Sequence, residues 1–432
     1  MKIPILSIRV LQERDRGRSE SDPWRRSRKC LPGLLAFIAL LLLAGCATGP
    51  RAYIEPPALS AERRAQRNDQ VFDRAWKLVD ERFFDAKFRG VDWPAMKAKY
   101  RPQAEAAADD AALYRVLNTM LAELKESHLA AITPRQSFED KTRAQVLTGF
   151  FVSRLEGRWV VVDVYHQSPA EEAGLRPGWI AVSRNGQPIG DRWDFPRPVA
   201  GQAVDFQFLD EHDQPHDLHL MPRLIVTRRE NDVRLLPGGV VYLRFGDFGA
   251  ESRRWLSAQL KAHLQAPAVV LDLRRNPGGG VLSLEVALGE FFPKTVDIGV
   301  VVRRSGTESA QGARQWWPAR YTGKVAILVD NSSASAAEIF SHVMQFHHRA
   351  IVVGRRTAGA VIVAREYFLP DGGRLQVATE DYRGLDGKRL EGNGVKPDVE
   401  VELKLADVRA GRDRDLEAAL RALEADQSKA AE

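Results

Sequence analysis

Residues Asn331 to Ile339, NSSASAAEI, set a serine-rich turn between an apolar run and a stretch of helical spacing. A hydroxyl at such a junction can act as a nucleophile, because the positive end of a helix and its unpaired N–H groups favour a developing oxyanion. Ser335 is the residue so placed. With Glu338 three positions on, the same spacing also fits an S-x-x-E capping box, a purely structural helix start. Asn276-Pro-Gly-Gly-Gly280 supplies a second element. Backbone without side chains lets a substrate approach closely and presents N–H groups to it. This loop lacks the G-x-G-x-x-G spacing, and Gly354-Arg-Arg-Thr-Ala-Gly-Ala360 lacks the final Lys and Ser/Thr of a phosphate loop, so neither indicates nucleotide binding. His212, His216 and His219 fall in a charged hairpin and read as solvated side chains rather than metal ligands. No motif asks for a metal or a cofactor.

The elements around these residues follow from apolar periodicity. Lys324 to Asp330, KVAILVD, reads as a core strand of a largely parallel sheet, and Ala336 to Gln345 as the helix that follows. Upstream, Val71, Phe72, Ala75, Leu78 and Val79 repeat at helical spacing from Asp69 onward, as do Leu113, Val116, Leu117, Met120, Leu121 and Leu124. This helical region is expected over 69–142, with its second helix ending near Leu129 before Pro134 closes it. Residues 143–223 shift to strand alternation with turns. Residues 224–405 alternate strands and helices, which predicts an α/β domain. Residues 406–432 carry an amphipathic helix, Arg412 to Ala425, with Leu416, Ala419, Leu420 and Leu423 on one side.

The chain has 432 residues and 44% hydrophobic content, enough for two or three domains with substantial cores. Arg25-Arg-Ser-Arg-Lys29 precedes an apolar run from Leu34 to Ala44, the order of an export signal and too short to span a bilayer. Residues 1–46 hold nine Lys/Arg against four Asp/Glu, or +5 of the formal +6. The remainder is therefore nearly neutral, which argues against nucleic-acid binding. Both cysteines, Cys30 and Cys46, also lie in this leader, so the body has no disulfide to rely on. Residues 47–68, with Pro50, Pro56 and Pro57, read as a tether.

Leu43-Ala44-Gly45-Cys46 resembles the lipobox of bacterial lipoproteins. The resemblance implies lipidation of Cys46 and, with Ala47 next, an outer-membrane anchor with the body in the periplasm. Residues Ser168 to Gly178, SPAEEAGLRPG, with Ile180 to Gly186 after them, resemble a PDZ domain. Gly149-Phe150 then stands where that family binds a peptide carboxylate, which implies a polypeptide partner. Taken in order, LDLRRNPGGG, VDNSSASAAEIF, IVVGRRTAGA, LPDGGRL and GNGVKPDVEV resemble the tail-specific (C-terminal processing) serine peptidases. That implies a crotonase/ClpP-like α/β protease core, an N-terminal helical region and an inserted PDZ-like β-rich domain. It also implies unfolded or C-terminal polypeptide segments as substrates.

One branch of that family uses a Ser-Lys dyad, and the matching lysine position here is Ala360. Alanine cannot activate a serine. The tricorn-like branch instead places a histidine in an L-x-[DE]-[SG]-H motif, matched by Leu124-Lys-Glu-Ser-His128. The resemblance implies Ser335 as nucleophile, His128 as general base and acid, Glu391 and Ser127 as its orienting groups, and the N–H groups of Gly278 or Gly279 and of Ala336 as oxyanion donors. Glu338 is left as the capping residue. Two other readings compete. Loss of the lysine suits a catalytically inactive peptide-binding scaffold, and a similar α/β core can carry acyl-transfer or hydratase chemistry, although the PDZ-like module argues against the latter.

Overall fold

The structure is a computed structural model that describes residues 52–193, 195, 197–226, 231–314 and 320–431. The expected leader, its Cys46 and the first residues of the tether lie outside the described residues. Helix α1 (Ala61–Arg82) begins inside the expected tether rather than near Asp69. Its first turns are charged, so apolar spacing does not reveal them. They are held instead by the Ser60 hydroxyl accepting the Arg63 N–H, and by Arg64 and Arg67 reaching Asp110. Val71, Phe72, Ala75, Leu78 and Val79 form its buried face.

Helices α2 (Trp93–Glu105) and α3 (Asp110–Ala122) complete this region, each started by an aspartate cap, Asp92 and Asp109. A turn through Leu124–His128 leads into strand β1 (Ala130–Ile132). Pro134 then opens a helix instead of closing one. It occupies the first turn of α4 (Pro134–Thr142), where a missing N–H costs nothing, behind a Thr133–Gln136 capping box.

Strands β2 (Ala144–Leu147) and β9 (Arg223–Val226) pair antiparallel, Ala144 opposite Val226, and so make a stem for everything between them. Between them lie β3 (Phe150–Leu155), β4 (Arg158–Val164), the short helix α5 (Pro169–Glu172), β5 (Ile180–Arg184), β6 (Gln187–Pro188), β7 (Val204–Leu209) and β8 (Pro215–Leu220). The sheet order is β3-β4-β5-β7-β8, with β6 on β5. Its core packs Val161, Leu175, Trp179, Phe206 and Phe208. The β7–β8 hairpin carries the three clustered histidines. His216 pairs with Asp210 and stacks on Trp179, while His219 pairs with Asp205.

The rest is an α/β core: β10 (Asp232–Leu235), β11 (Val241–Arg244), α6 (Ala250–Ala262), β12 (Ala268–Asp272), α7 (Val281–Gly289), β13 (Val296–Arg303), β14 (Glu308–Ala313), β15 (Lys324–Val329), α8 (Ala336–Phe346), β16 (Ile351–Gly354), β17 (Ile362–Phe368), β18 (Arg374–Arg383), β19 (Val399–Glu400), α9 (Leu405–Arg409) and α10 (Arg414–Ala431). One sheet runs β10-β11-β12-β15-β16-β19 and is parallel except at β10. Val269, Leu271, Val325, Ile327 and Val329 meet the buried faces of α6, α7 and α8 on one side. On that side α8 buries Phe340, Val343 and Met344, each worth about 1.5–3 kcal/mol on removal from water. Ala418, Ala419 and Leu423 of α10 cover the other side. A second, antiparallel sheet, β1-β18-β13-β14 with β17 also on β18, joins the helical region to the core through Leu375, Val377 and Ala378.

Candidate active site

Three adjacent parallel strands deliver three loops to one end of the sheet, the usual place for chemistry in such folds. β12 leads to Asn276–Gly280, β15 to Ser335, and β16 to Thr357–Ala360. The β15 turn is fixed from several sides. The Ser333 hydroxyl donates to the Leu273 carbonyl at 2.8 Å, and the Ala334 N–H donates to the Asn276 carbonyl at 2.9 Å. Ser335 then takes φ 56° and ψ −120°. For a residue with a Cβ this conformation costs about 1–3 kcal/mol, and it persists only where the surroundings hold it.

Here the holding groups are explicit. The Ser335 N–H donates to the Ala360 carbonyl at 2.9 Å and to Glu338 Oε2 at 3.1 Å. Only the Glu338 half of the expected Ser335–Glu338 capping box is made, and the serine hydroxyl makes no cap hydrogen bond. Glu338 is fully buried and works as a hub. Its carboxylate also accepts the Thr357 hydroxyl at 2.5 Å, the Gly359 N–H at 2.8 Å and the Ala360 N–H at 2.9 Å. Burial raises its pKa, opposed by these four donors.

The histidine expected as base stands in a relay. His128 Nδ1 lies 2.7 Å from Ser127 Oγ, and that hydroxyl donates to Glu391 Oε2 at 2.9 Å. A hydroxyl has one proton, and here it is committed to the carboxylate. Nδ1 must therefore carry the imidazole hydrogen, which leaves Nε2 with its lone pair. The Ser127 N–H and the Val361 N–H fix Glu391 further, at 2.9 and 2.6 Å. Burial lowers the His128 pKa below its ordinary value, and the Glu391 charge partly offsets this, so the ring is neutral near pH 7.

The Ala360–Val361 peptide joins the two halves. Its carbonyl receives the Ser335 N–H, and its N–H goes to Glu391. Behind the relay, Arg389 forks onto both Glu126 oxygens at 3.0 Å and reaches Asp381 at 2.7 Å, with Arg89 also on Glu126. Burial raises the Glu126 pKa despite these arginines.

The glycine loop lies against Ser335. A Cβ on Gly278, at φ +88°, would meet Ser335 Cβ, the Ala336 nitrogen and the Ala334 oxygen at 2.7 Å each. The expected donors divide, however. The Gly278 N–H is already given to Asn276 Oδ1 at 2.9 Å, while the Asn276 amide donates to the Phe245 carbonyl at 2.6 Å. Gly278 thus supplies close approach, and Asn276 shapes the turn. Among the described residues the N–H groups of Gly279 and Ala336 have no acceptor.

Gly149 and Phe150 are in the β-rich domain, not in this cluster. Gly149, at φ +98°, packs on Ser168, and Phe150 meets Phe206 and Phe208 edge-on. They line a cavity of about 800 Å³ that continues to Gly246, Arg274 and Arg275 of the core. Arg275 spans it, pairing with Asp163 at 2.7 Å.

Residues 239–401, which contain Gly278, Ser335 and Glu391, match peptidase family S41, and residues 64–122 match the tricorn protease C1 domain. Over residues 239–401 the chain is similar to peptidase family S41. The chain is 27% identical over 386 residues to a tricorn protease homolog of Streptomyces coelicolor, covering 82% of the chain and 32% of that relative. It is 25% identical over 375 residues to a carboxyl-terminal-processing protease of a Synechocystis species, covering 80% of the chain and 84% of that protein. It thus spans about a third of the Streptomyces relative and most of the Synechocystis one. The solved photosystem II D1 C-terminal processing protease shares its fold, with a TM-score of 0.55 and 22% identity over 82% of this chain and 97% of that one. Thr357, Asn276 and Arg389 are the site residues that sequence reasoning missed. Each lies inside or beside a recognised motif, but only partners distant in the chain reveal its part.

Proposed function

We propose that the chain is a serine endopeptidase of the tail-specific processing type, working by a Ser335–His128–Glu391 mechanism. The observation that carries this reading is the fixed tautomer of His128, which leaves Nε2 as an acceptor. In the proposed cycle Nε2 takes the Ser335 hydroxyl proton as Oγ attacks a peptide carbonyl. The N–H groups of Gly279 and Ala336 receive the oxyanion. The imidazolium, stabilised through Ser127 by Glu391, returns its proton to the leaving amine, and the acyl group stays on Ser335. Water, deprotonated by the same Nε2, then attacks the acyl carbon, and Nε2 returns that proton to Ser335 Oγ as the acyl bond breaks and the shortened chain leaves with a new carboxyl end.

The cavity at Gly149 and Phe150 supports a PDZ-like groove that takes an extended C-terminal segment. Unfolded or C-terminal polypeptide stretches are therefore the proposed substrates. The sequence supports a lipid anchor at Cys46 and a periplasmic location for the body.

Ala360 favours a second reading, an inactive peptide-binding scaffold. The complete relay behind His128 speaks against it, since a scaffold has no use for a base held in one tautomer. Incubation with an unfolded polypeptide, followed by mass analysis of the products, tests the proposal. Cleavage by the wild type that Ser335→Ala abolishes supports it, and equal cleavage by both proteins refutes it.

A further inference from the structure

The start of α10 reaches the active-site loops from behind the sheet. Arg274, two residues before Asn276, forks onto Asp272 at 3.0 and 2.7 Å and onto Asp413 at 2.8 Å, and reaches Asp415 at 3.0 Å. Arg355, two residues before Thr357, grips both oxygens of the same Asp415 at 2.8 and 2.9 Å. Asp272 and Asp415 are only 2% and 3% exposed, and the Tyr242 hydroxyl donates to Asp272 at 2.6 Å. Burial works against charge on Asp272, but Arg274 outweighs it and holds the carboxyl below its ordinary pKa.

The arrangement has a topological meaning. Arg274 stands at the end of β12 and Arg355 just past the end of β16, and these strands flank β15, whose own end leads to Ser335. One carboxylate therefore ties the loops on either side of the nucleophile. The loop after Arg274 carries Gly279, and the loop after Arg355 carries the Ala360 carbonyl and Val361 N–H that hold Ser335 and Glu391.

We propose that Asp415 is a positioning residue for catalysis, fixing the spacing between the glycine loop and the Thr357–Val361 loop through Arg274 and Arg355. The C-terminal helix is then part of the active-site scaffold and not merely a cover for the sheet. The inference rests on Ser335 being the nucleophile, and its test has one arm independent of that.

The first arm is amide hydrogen exchange on the full chain. Asp415→Asn is expected to speed exchange in 276–280 and 357–361 together, because both lose the same anchor. The second arm is kinetic. kcat should fall on the order of 10- to 100-fold and KM much less, since the misplaced loops carry the transition-state contacts, whereas Arg274 is one of many residues that line the groove. Arg355→Lys, which keeps charge but loses the bidentate grip, should fall between Asp415→Asn and wild type. It also serves if Asp415→Asn does not fold. Unchanged exchange in both loops, or changes confined to the helix, overturns the proposal. If the wild type cleaves nothing, the assignment of function fails, and exchange alone still decides the positioning role.

Discussion

The Ser127 hydroxyl donates to Glu391 Oε2 at 2.9 Å across 264 residues of sequence. That contact makes a relay of what would otherwise be a histidine beside a serine. It gives the carboxylate its effect on the imidazole through an intervening hydroxyl. Removing either end should act on one catalytic unit.

Ser127→Ala and Glu391→Gln are each expected to lower kcat on the order of 10²- to 10⁴-fold, and the double variant should lose little more than the worse single one. Steady-state kinetics of the four proteins check this. Multiplicative losses would mean that the two groups act separately.

The acid limb of kcat/KM should report His128 in the free enzyme. The active form is neutral, and burial lowers its pKa, so activity should be lost on acidification only below pH about 6.5. Glu391 raises that pKa, so Glu391→Gln should move the limb further to acid while lowering the plateau. A limb that moves to alkaline pH in Glu391→Gln contradicts the assignment.

Gly278→Ala places a Cβ where Ser335 Cβ and the Ala336 nitrogen already stand. One of the loops must shift, moving the nucleophile from its oxyanion donors. Activity is expected to fall on the order of 10²-fold or more. The Ser335 hydroxyl would still be present, so titration of folded protein against residual rate separates this from unfolding.

Glu338→Gln turns one acceptor of a buried hub into a donor facing N–H groups. Stability should drop by about 1–3 kcal/mol, measured by denaturant unfolding. A surface-like change below about 0.5 kcal/mol would deny the hub its role.

The turn that carries Ser335, the proposed nucleophile, was legible because everything that marks it is local: an apolar strand, a serine turn and a helix within twenty or so residues. The family resemblance also brought His128, Ser127 and Glu391 forward, although nothing in their local spacing could place them in contact. What stayed hidden was chosen by partners far along the chain. The Gly278 N–H is spent on Asn276, and the charged start of α1 is ordered by Asp110 rather than by apolar periodicity. The hairpin of β13 and β14 escaped because Gly299 interrupts one strand and Glu308–Ala313 is mostly polar and small. Asp413 and Asp415 lie within the amphipathic stretch Arg412 to Ala425, whose apolar side alone drew notice, yet Asp415 is buried between two arginines.

The central claim is that His128 activates Ser335. A fluorophosphonate probe, with the modified residue mapped by mass spectrometry and the second-order rate measured, tests it most directly. Labelling of Ser335 in the wild type that slows on the order of 10²-fold or more in folded His128→Ala is the expected result. Labelling of Ser335 at the same rate in both proteins, or none in the folded wild type, would contradict it.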